Sequence, residues 1–189
     1  MANKPTGWVT LTTQTLYENP WIRLEEHQVI NPGGGRNLYG KVCFKNRAVA
    51  ILALDEQNQV YLVGQERYTL GSYSWELPMG GAPLEEDPLA AAQRELKEET
   101  GLQAARWSEV MRLHLSNSIT DEEGIVYLAR ELTEGKPEFE ETEDLTIRRL
   151  PLAEALAMAV DGRITDAMSV AALLRLQMGD LPTCPTRPT

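Results

Sequence analysis

The sequence predicts a chain of the α/β (α+β) class, in which a small antiparallel β region leads into a central sheet that is followed by helices. Three observations predict it. The first third is filled by strand-like runs punctuated by Gly and Pro; a sharply bounded helical segment lies at Pro88–Thr100; and strand-like and helical segments then succeed each other to about residue 178.

Taken in order, Trp8 to Thr13 and Trp21 to Ile30 alternate apolar and polar residues, as half-buried strands do, and Asn31-Pro32-Gly33-Gly34-Gly35 supplies a tight connection. Leu38 to Phe44, Ala48 to Leu54 and Val60 to Gly64 read as the central sheet. The second of these is almost wholly apolar and so expected to be buried on both faces, with Asp55 to Gln59 as its turn. Asp87-Pro88 starts a helix, because Asp accepts backbone N–H bonds as N-cap and Pro at the first helical position loses no useful donor. Gly101 stops it, being suited to the left-handed residue just past a helix. Further strands are expected at Val110 to Leu115, Gly124 to Arg130 and Leu145 to Leu150, and helices at Leu152 to Val160 and Asp166 to Met178. The expected organisation is an N-terminal β region over 1–45, a main domain over 46–180 and a disordered tail over 181–189, which carries three Pro.

Composition removes several classes of function. With 18 Lys+Arg against 28 Asp+Glu, the formal charge is −10, and no basic cluster offers nucleic acid a surface. No apolar run approaches the roughly 18 residues that span a bilayer, and the N-terminus lacks a signal-like apolar stretch, so a cytoplasmic protein is expected. Cys43 and Cys184 form no framework, and His27 and His114 stand alone in the sequence, which leaves zinc sites and Ser-His-Asp chemistry without a signature. Any chemistry must use carboxylates.

The helix that ends at Gly101 contains Gln93-Arg94-Glu95-Leu96-Lys97-Glu98-Glu99. At about 100° per residue, Glu95 and Glu99 lie roughly 40° apart on one face, with Glu98 about 60° to the other side of Glu95. Three like charges in one sector repel and call for a counter-cation. Their hard oxygens suit Mg²⁺, Mn²⁺ or Ca²⁺ better than zinc or copper. A solvated acidic face is the bland alternative.

Reading outward, Gly80, Glu86, Arg94, Glu95, Leu96, Glu98, Glu99, Gly101 and Leu102 fit every fixed position of the pattern G-x5-E-x7-R-E-U-x-E-E-x-G-U, where U is a bulky aliphatic residue. Typical residue frequencies put a chance fit on the order of 10⁻⁵. The chain thus resembles the Nudix hydrolases over about residues 45–178. That resemblance implies an α/β/α sandwich with a mixed central sheet, and hydrolysis of a nucleoside diphosphate linked to another moiety by water, with bound divalent ions, Mg²⁺ or else Mn²⁺. The spacing also makes physical sense: Gly80 and Gly81 let the loop backbone come close, while Leu89, Ala92 and Leu96 bury the opposite side of the helix. Arg94 is four residues from Glu98 and either pairs with it or orients a ligating carboxylate. Glu86 is implied to support the metal cluster indirectly.

Outside that pattern, the chain resembles ADP-ribose pyrophosphatases and related nucleoside diphosphate sugar hydrolases. Gln65-Glu66-Arg67 is similar to their Q-x-R element, Glu140 to Leu145 to their acidic loop, and Gly162 to Ser169 to the link into their last helix. The resemblance implies Glu141, Glu98 and Arg94 as catalytic residues, with Glu141 as general base or water-positioning group. It implies Glu95, Glu98, Glu99 and Glu143, with the Met79 carbonyl, as metal ligands. Arg67 is read as a phosphate clamp or a surface ion pair, Glu76 as a substrate acceptor or a buried structural acid, and Trp21 as a base-stacking residue or a core residue. The β-rich N-terminal segment implies a homodimer.

One departure concerns specificity. Members that prefer ADP-ribose carry a proline where this chain has Asn117, so GDP-mannose and other nucleotide sugars stay open as substrates. FAD, dinucleoside polyphosphates and capped RNA remain alternatives, as does a sensor that binds ADP-ribose without cleaving it.

Overall fold

A computed structural model describes residues 7–139 and 144–179, and the chain divides into two compact units. One unit takes residues 7–46 together with His114–Glu122; the other takes Arg47–Leu113 together with 123–179.

The first unit is built on β1 (Val9–Glu18), β2 (Ile22–Ile30) and β3 (Arg36–Phe44), in the order β1-β2-β3 with both pairings antiparallel. The turn between β2 and β3 is organised by Asn31. Its N–H donates to the Gly35 carbonyl at 2.8 Å, its carbonyl accepts from Gly34 N–H at 2.8 Å, and its side-chain Oδ1 accepts from Gly35 N–H at 3.1 Å. Gly34 has φ +91°, where an L side chain would be strained. This turn corrects one expectation. The Leu38 to Phe44 run belongs to the N-terminal sheet rather than the central one, because the tight turn folds it back onto β2 in register from Ile22↔Phe44 to Ile30↔Arg36.

Two side chains that look isolated in the sequence share a partner in this sheet. Glu25 accepts from Arg23 Nε at 2.7 Å and Cys43 Sγ at 3.4 Å, and lies 2.9 Å from His27 Nε2. The hydrogen bonds to His27 and Arg23 hold the Glu25 carboxyl down at about 2. Burial, with the neighbouring Glu25, pushes the Cys43 thiol up.

The second unit contains β4 (Asn46–Ala53), β5 (Gln59–Arg67), β6 (Ser72–Glu76), β7 (Met79–Pro83), α1 (Pro88–Thr100), β8 (Gln103–His114), β9 (Glu123–Thr133), β10 (Thr146–Pro151), α2 (Leu152–Asp161) and α3 (Ala167–Gln177). Strands β7-β4-β9-β8 form one sheet and β10-β5-β6 another. The β4–β9 pairing is parallel, while β10–β5 and β5–β6 are antiparallel, so the strand directions are mixed. Helix α1 packs on β7 and β9, α2 on β10, β5 and α3, and α3 also on β9.

Both faces of β4 are buried, as its unbroken apolar run requires. Val49, Ile51 and Ala53 join Ile125, Tyr127 and Ala129 of β9 and Ala91, Ala92 and Leu96 of α1 in one core cluster. By pleat alternation, the equally buried Ala50, Leu52, Val126 and Leu128 face the other way, the side on which α3 meets β9. The result is a sheet layer between helices.

Strands β6 and β7 have no counterpart in the sequence reading. Met79-Gly80-Gly81-Ala82-Pro83 has poor strand propensity, and it is extended because it docks beside β4, with Ile51 N–H donating to the Pro78 carbonyl at 2.8 Å. Among the described residues, no helix is long and apolar enough to cross a membrane.

Candidate active site

Helix α1 begins and ends as its sequence dictates. Asp87 Oδ1 accepts from Leu89 N–H at 3.3 Å, Pro88 takes the first helical position, and Gly101 closes the helix at φ +74° with its N–H on the Lys97 carbonyl at 2.8 Å. Gly101 is needed twice over, since a Cβ there would lie 2.7 Å from the backbone at Gly135, Lys136 and Pro137.

The acidic face of α1 is not a solvated one. Glu95 is 9% exposed and Glu99 2% exposed, in the same helix whose Ala91, Ala92 and Leu96 are wholly buried. Burying carboxylates is costly unless they are hydrogen-bonded and balanced by charge. Arg94 supplies much of that balance: its Nη1 donates to Glu95 Oε1 at 2.8 Å and to Glu98 Oε2 at 3.0 Å, and its Nη2 donates to the Gly81 carbonyl at 2.9 Å and to Glu86 Oε2 at 3.3 Å. Burial alone would weaken the charge on Arg94, but its bonds to Glu86, Glu95 and Glu98 outweigh burial and hold the guanidinium above its ordinary value. Glu99 Oε2 accepts from Met79 N–H at 2.9 Å, which ties the end of α1 to the start of β7.

Gly80 sets the spacing between strand and helix. A Cβ built there would fall 2.1–2.3 Å from the Glu95 carboxylate, so only glycine admits that group against the β7 backbone. Beside the β7 backbone the carboxylates of Glu95 and Glu98 and the Gly81 carbonyl thus gather on Arg94, hard oxygens of the kind that fit a divalent cation. In this arrangement Arg94 is the countercharge to Glu95 and Glu98, and among the described residues no three His, Cys, Asp or Glu side chains form a ready metal cage.

A second constellation lies at the end of β5 and β6. Arg67 donates from Nε to Glu76 Oε1 at 2.9 Å and from Nη2 to Glu76 Oε2, a two-pronged pair in which Glu76 is only 3% exposed. The bond to Glu76 raises the Arg67 guanidinium; burial opposes it, and the charges of Glu76, Asp166 and Glu99 add to the rise. Sequence reasoning treated Arg67 and Glu76 separately, and took Asp166 only as the start of the last helix, within the Gly162 to Ser169 link.

Trp21 lies in the N-terminal sheet unit with its side chain out, at 65% exposed, so the core reading of this residue does not hold. Its backbone is committed, with N–H on Asn19 Oδ1 at 2.9 Å and its carbonyl accepting from Lys45 N–H at 2.9 Å. The chain up to Phe139 is tied to α1 through Glu138 N–H on the Glu98 carbonyl at 2.8 Å and a Lys97–Glu138 ion pair at 2.8 Å. Glu141 and Glu143 lie outside the described residues. Asn117 sits in a turn where Ile119 N–H donates to the Ser116 carbonyl at 3.0 Å.

This fold, with its carboxylate helix locked onto a glycine strand, defines a hydrolase of the Nudix class. The NUDIX domain model matches residues 44–169, and the chain belongs to that family. A second model, the nucleoside diphosphate sugar hydrolase N-terminal domain, matches residues 8–42. The chain is similar to the ADP-ribose pyrophosphatase of Mycobacterium tuberculosis (38% identical over 87% of this chain and 81% of that protein). It is also similar to the ADP-ribose pyrophosphatase of Bacillus subtilis (33% identical over 69% of this chain and 72% of that one). A crystal structure of an ADP compounds hydrolase superposes with a TM-score of 0.82 at 24% identity, over 91% of this chain and 93% of that one, which supports the fold.

Proposed function

We propose that the protein is a cytoplasmic, homodimeric pyrophosphatase that uses Mg²⁺ to hydrolyse ADP-ribose or a related nucleoside diphosphate sugar to a nucleoside monophosphate and a sugar phosphate. The observation that carries this reading is the pair of buried carboxylates on α1, Glu95 set against Gly80, where a Cβ would enter its place, and Glu99 bonded to Met79 N–H. Folding does not bury two acids one helical turn apart for stability, so their retention argues for a task.

Glu95, Glu98 and Glu99, with the Met79 carbonyl and with Glu143, would hold the ion. When bound, Mg²⁺, or Mn²⁺ in its place, neutralises pyrophosphate oxygens and lowers the pKa of a coordinated water. Arg94 holds Glu95 and Glu98 in place through one nitrogen and reaches Gly81 and Glu86 through the other, which limits the motion of the carboxylates. Glu141 is assigned to orient the attacking water and accept its proton. Arg67 and Glu76 are assigned to the substrate, and Trp21 to stacking on the base.

The homodimer reading rests on the N-terminal sheet. Trp8, Leu11, Leu16, Tyr17, Trp21 and Leu38 are all exposed there, and β1 is exposed along its whole length. An apolar sheet of this kind is expected to be covered by a second copy of the chain.

The test is incubation of purified protein with Mg²⁺ and a panel of ADP-ribose, ADP-glucose, GDP-mannose, FAD and dinucleoside polyphosphates, with product identification. Release of a nucleoside monophosphate and a sugar phosphate is expected. Tight ligand binding with no product from any of them would replace the enzyme with a sensor.

A further inference from the structure

A cavity of about 410 Å³ lies between the half-exposed side of α1 and the first residues of β8, both in the second unit. Its lining is Gln93, Arg94 and Lys97 from the helix and Gln103, Ala104 and Trp107 from the strand. Of these, only Arg94 takes part in the carboxylate cluster described above.

The floor of the cavity is fixed. Trp107 Nε1–H donates to the Ala104 carbonyl at 3.0 Å, and the indole meets the buried Tyr127 ring in a T-shaped pair at 6.4 Å and 78° less 3°, that is 75°. Ala104 and Trp107 also pack on the core cluster shared by β4, β9 and α1, so the aromatic surface is preformed.

The charges at its rim are already matched. All five N–H groups of Arg94 are engaged: Nη1 with Glu95 and Glu98, Nη2 with the Gly81 carbonyl and Glu86, and Nε with Glu86 Oε1 at 3.5 Å. Lys97 Nζ lies 2.8 Å from Glu138 Oε1. These two cations stand with four carboxylates, Glu86, Glu95, Glu98 and Glu138, so a phosphate entering here meets net negative charge. The amides differ. Among the described residues, the side chains of Gln93 and Gln103 make no hydrogen bond, and each offers an acceptor oxygen beside a donor nitrogen.

The volume falls in the range of roughly 300 to 1,000 Å³ that takes small molecules. A neutral, flat ligand with a donor next to an acceptor matches this lining. Its ring covers the indole, and its edge meets a glutamine amide through two bonds, as N6 and N7 of adenine do. We infer that this cavity is a second ligand site, which takes an uncharged purine base, adenine first, against Trp107 and the amides of Gln93 and Gln103.

The experiment measures adenosine binding to the full chain by calorimetry in EDTA, with ribose as the ligand that lacks a base. Wild type is expected to bind adenosine and not ribose. Gln93→Ala combined with Gln103→Ala changes two exposed positions, and Trp107→Leu removes the ring; each is expected to weaken adenosine binding roughly tenfold. Trp21→Ala, at the residue assigned to stack on the substrate, is expected to bind adenosine within about twofold of wild type. Wild type that binds no adenosine, ribose that binds as well as adenosine, or an affinity that the glutamine pair leaves unchanged overturns the site. Adenosine binding lost in Trp21→Ala also overturns it, because the base then sits with the substrate. If melting by circular dichroism shows Trp107→Leu unfolded, the glutamine pair alone decides. Binding is read without Mg²⁺ or turnover, so its failure and that of the pyrophosphatase reading are separate results.

Discussion

Helix α1 and strand β1 invert the usual relation between residue type and burial. On α1, Glu95 and Glu99 lie among wholly buried Ala91, Ala92 and Leu96. On β1, Val9, Leu11, Leu16 and Tyr17 all remain exposed. Each arrangement is unfavourable for an isolated folded chain, the first by desolvation of charge and the second by apolar surface left in water. The proposed function gives each arrangement a counterpart: a cation for the acids, and a second copy of the chain for the apolar strand.

The largest expected effect tests the first half of that contrast. Glu99→Gln retains an acceptor for Met79 N–H but removes the negative charge, so turnover should fall roughly 10³-fold with little change in folding. Product release with Mg²⁺ and circular-dichroism melting measure the two quantities, and a near-normal rate would remove Glu99 from the metal-binding role.

Gly80→Ala should act on both stability and activity, because its methyl group enters the space of the Glu95 carboxylate. Because the group in the way is the end of a flexible side chain, the loss of stability should stay within about 1 kcal/mol, while displacement of the Glu95 carboxylate should weaken Mg²⁺ binding in a titration. Unchanged metal affinity would show that the close approach of strand and helix is merely structural.

The exposed sheet calls for the opposite outcome. Leu38→Glu alters a residue that is 66% exposed, so the stability of the chain itself should move by no more than about 0.5 kcal/mol. Its association should nevertheless fall, read as a shift toward monomer in light scattering across a dilution series. A wild-type protein that is monomeric at every concentration would break the comparison.

The smallest effect concerns acid. Glu25 is held at about 2 in the folded sheet against an ordinary value of 4.5, chiefly by its bonds to His27 and Arg23. Because the folded value is the lower one, its contribution to stability is complete above about pH 4.5 and is lost as pH falls from there toward 2. Glu25→Gln should therefore flatten the acid limb of a stability profile in that window; an unaltered limb would show that the Glu25 pairings carry no stability.

Much of the fold was legible locally. Asp87-Pro88 and Gly101 bracket α1 at the residues where the structure begins and ends it, because caps depend on backbone groups within one turn. The apolar run of β4 announced a strand buried on both sides for an equally local reason. Strands β6 and β7 were not legible, since Met79-Gly80-Gly81 is extended only because β4 and α1 lie beside it. The Leu38 to Phe44 run was legible as a strand but not as a partner of β2, a choice made by the Asn31–Gly35 turn.

The candidate site divides along the same line. Glu95, Glu98 and Glu99 stand on one sector of a helix by the period of the helix alone, and Arg94 is set within reach of Glu98 by the same period. That much the amino-acid order determined. Contacts that join distant parts of the chain were decided only by the tertiary structure: Arg94 reaching Gly81 and Glu86, Glu76 held in the fork of Arg67, Asp166 brought to the same cleft, and His27 and Cys43 gathered on Glu25. Helical period and capping act over a few residues and can be read from order, whereas pairing across loops depends on which buried faces meet, a property of the packed chain as a whole.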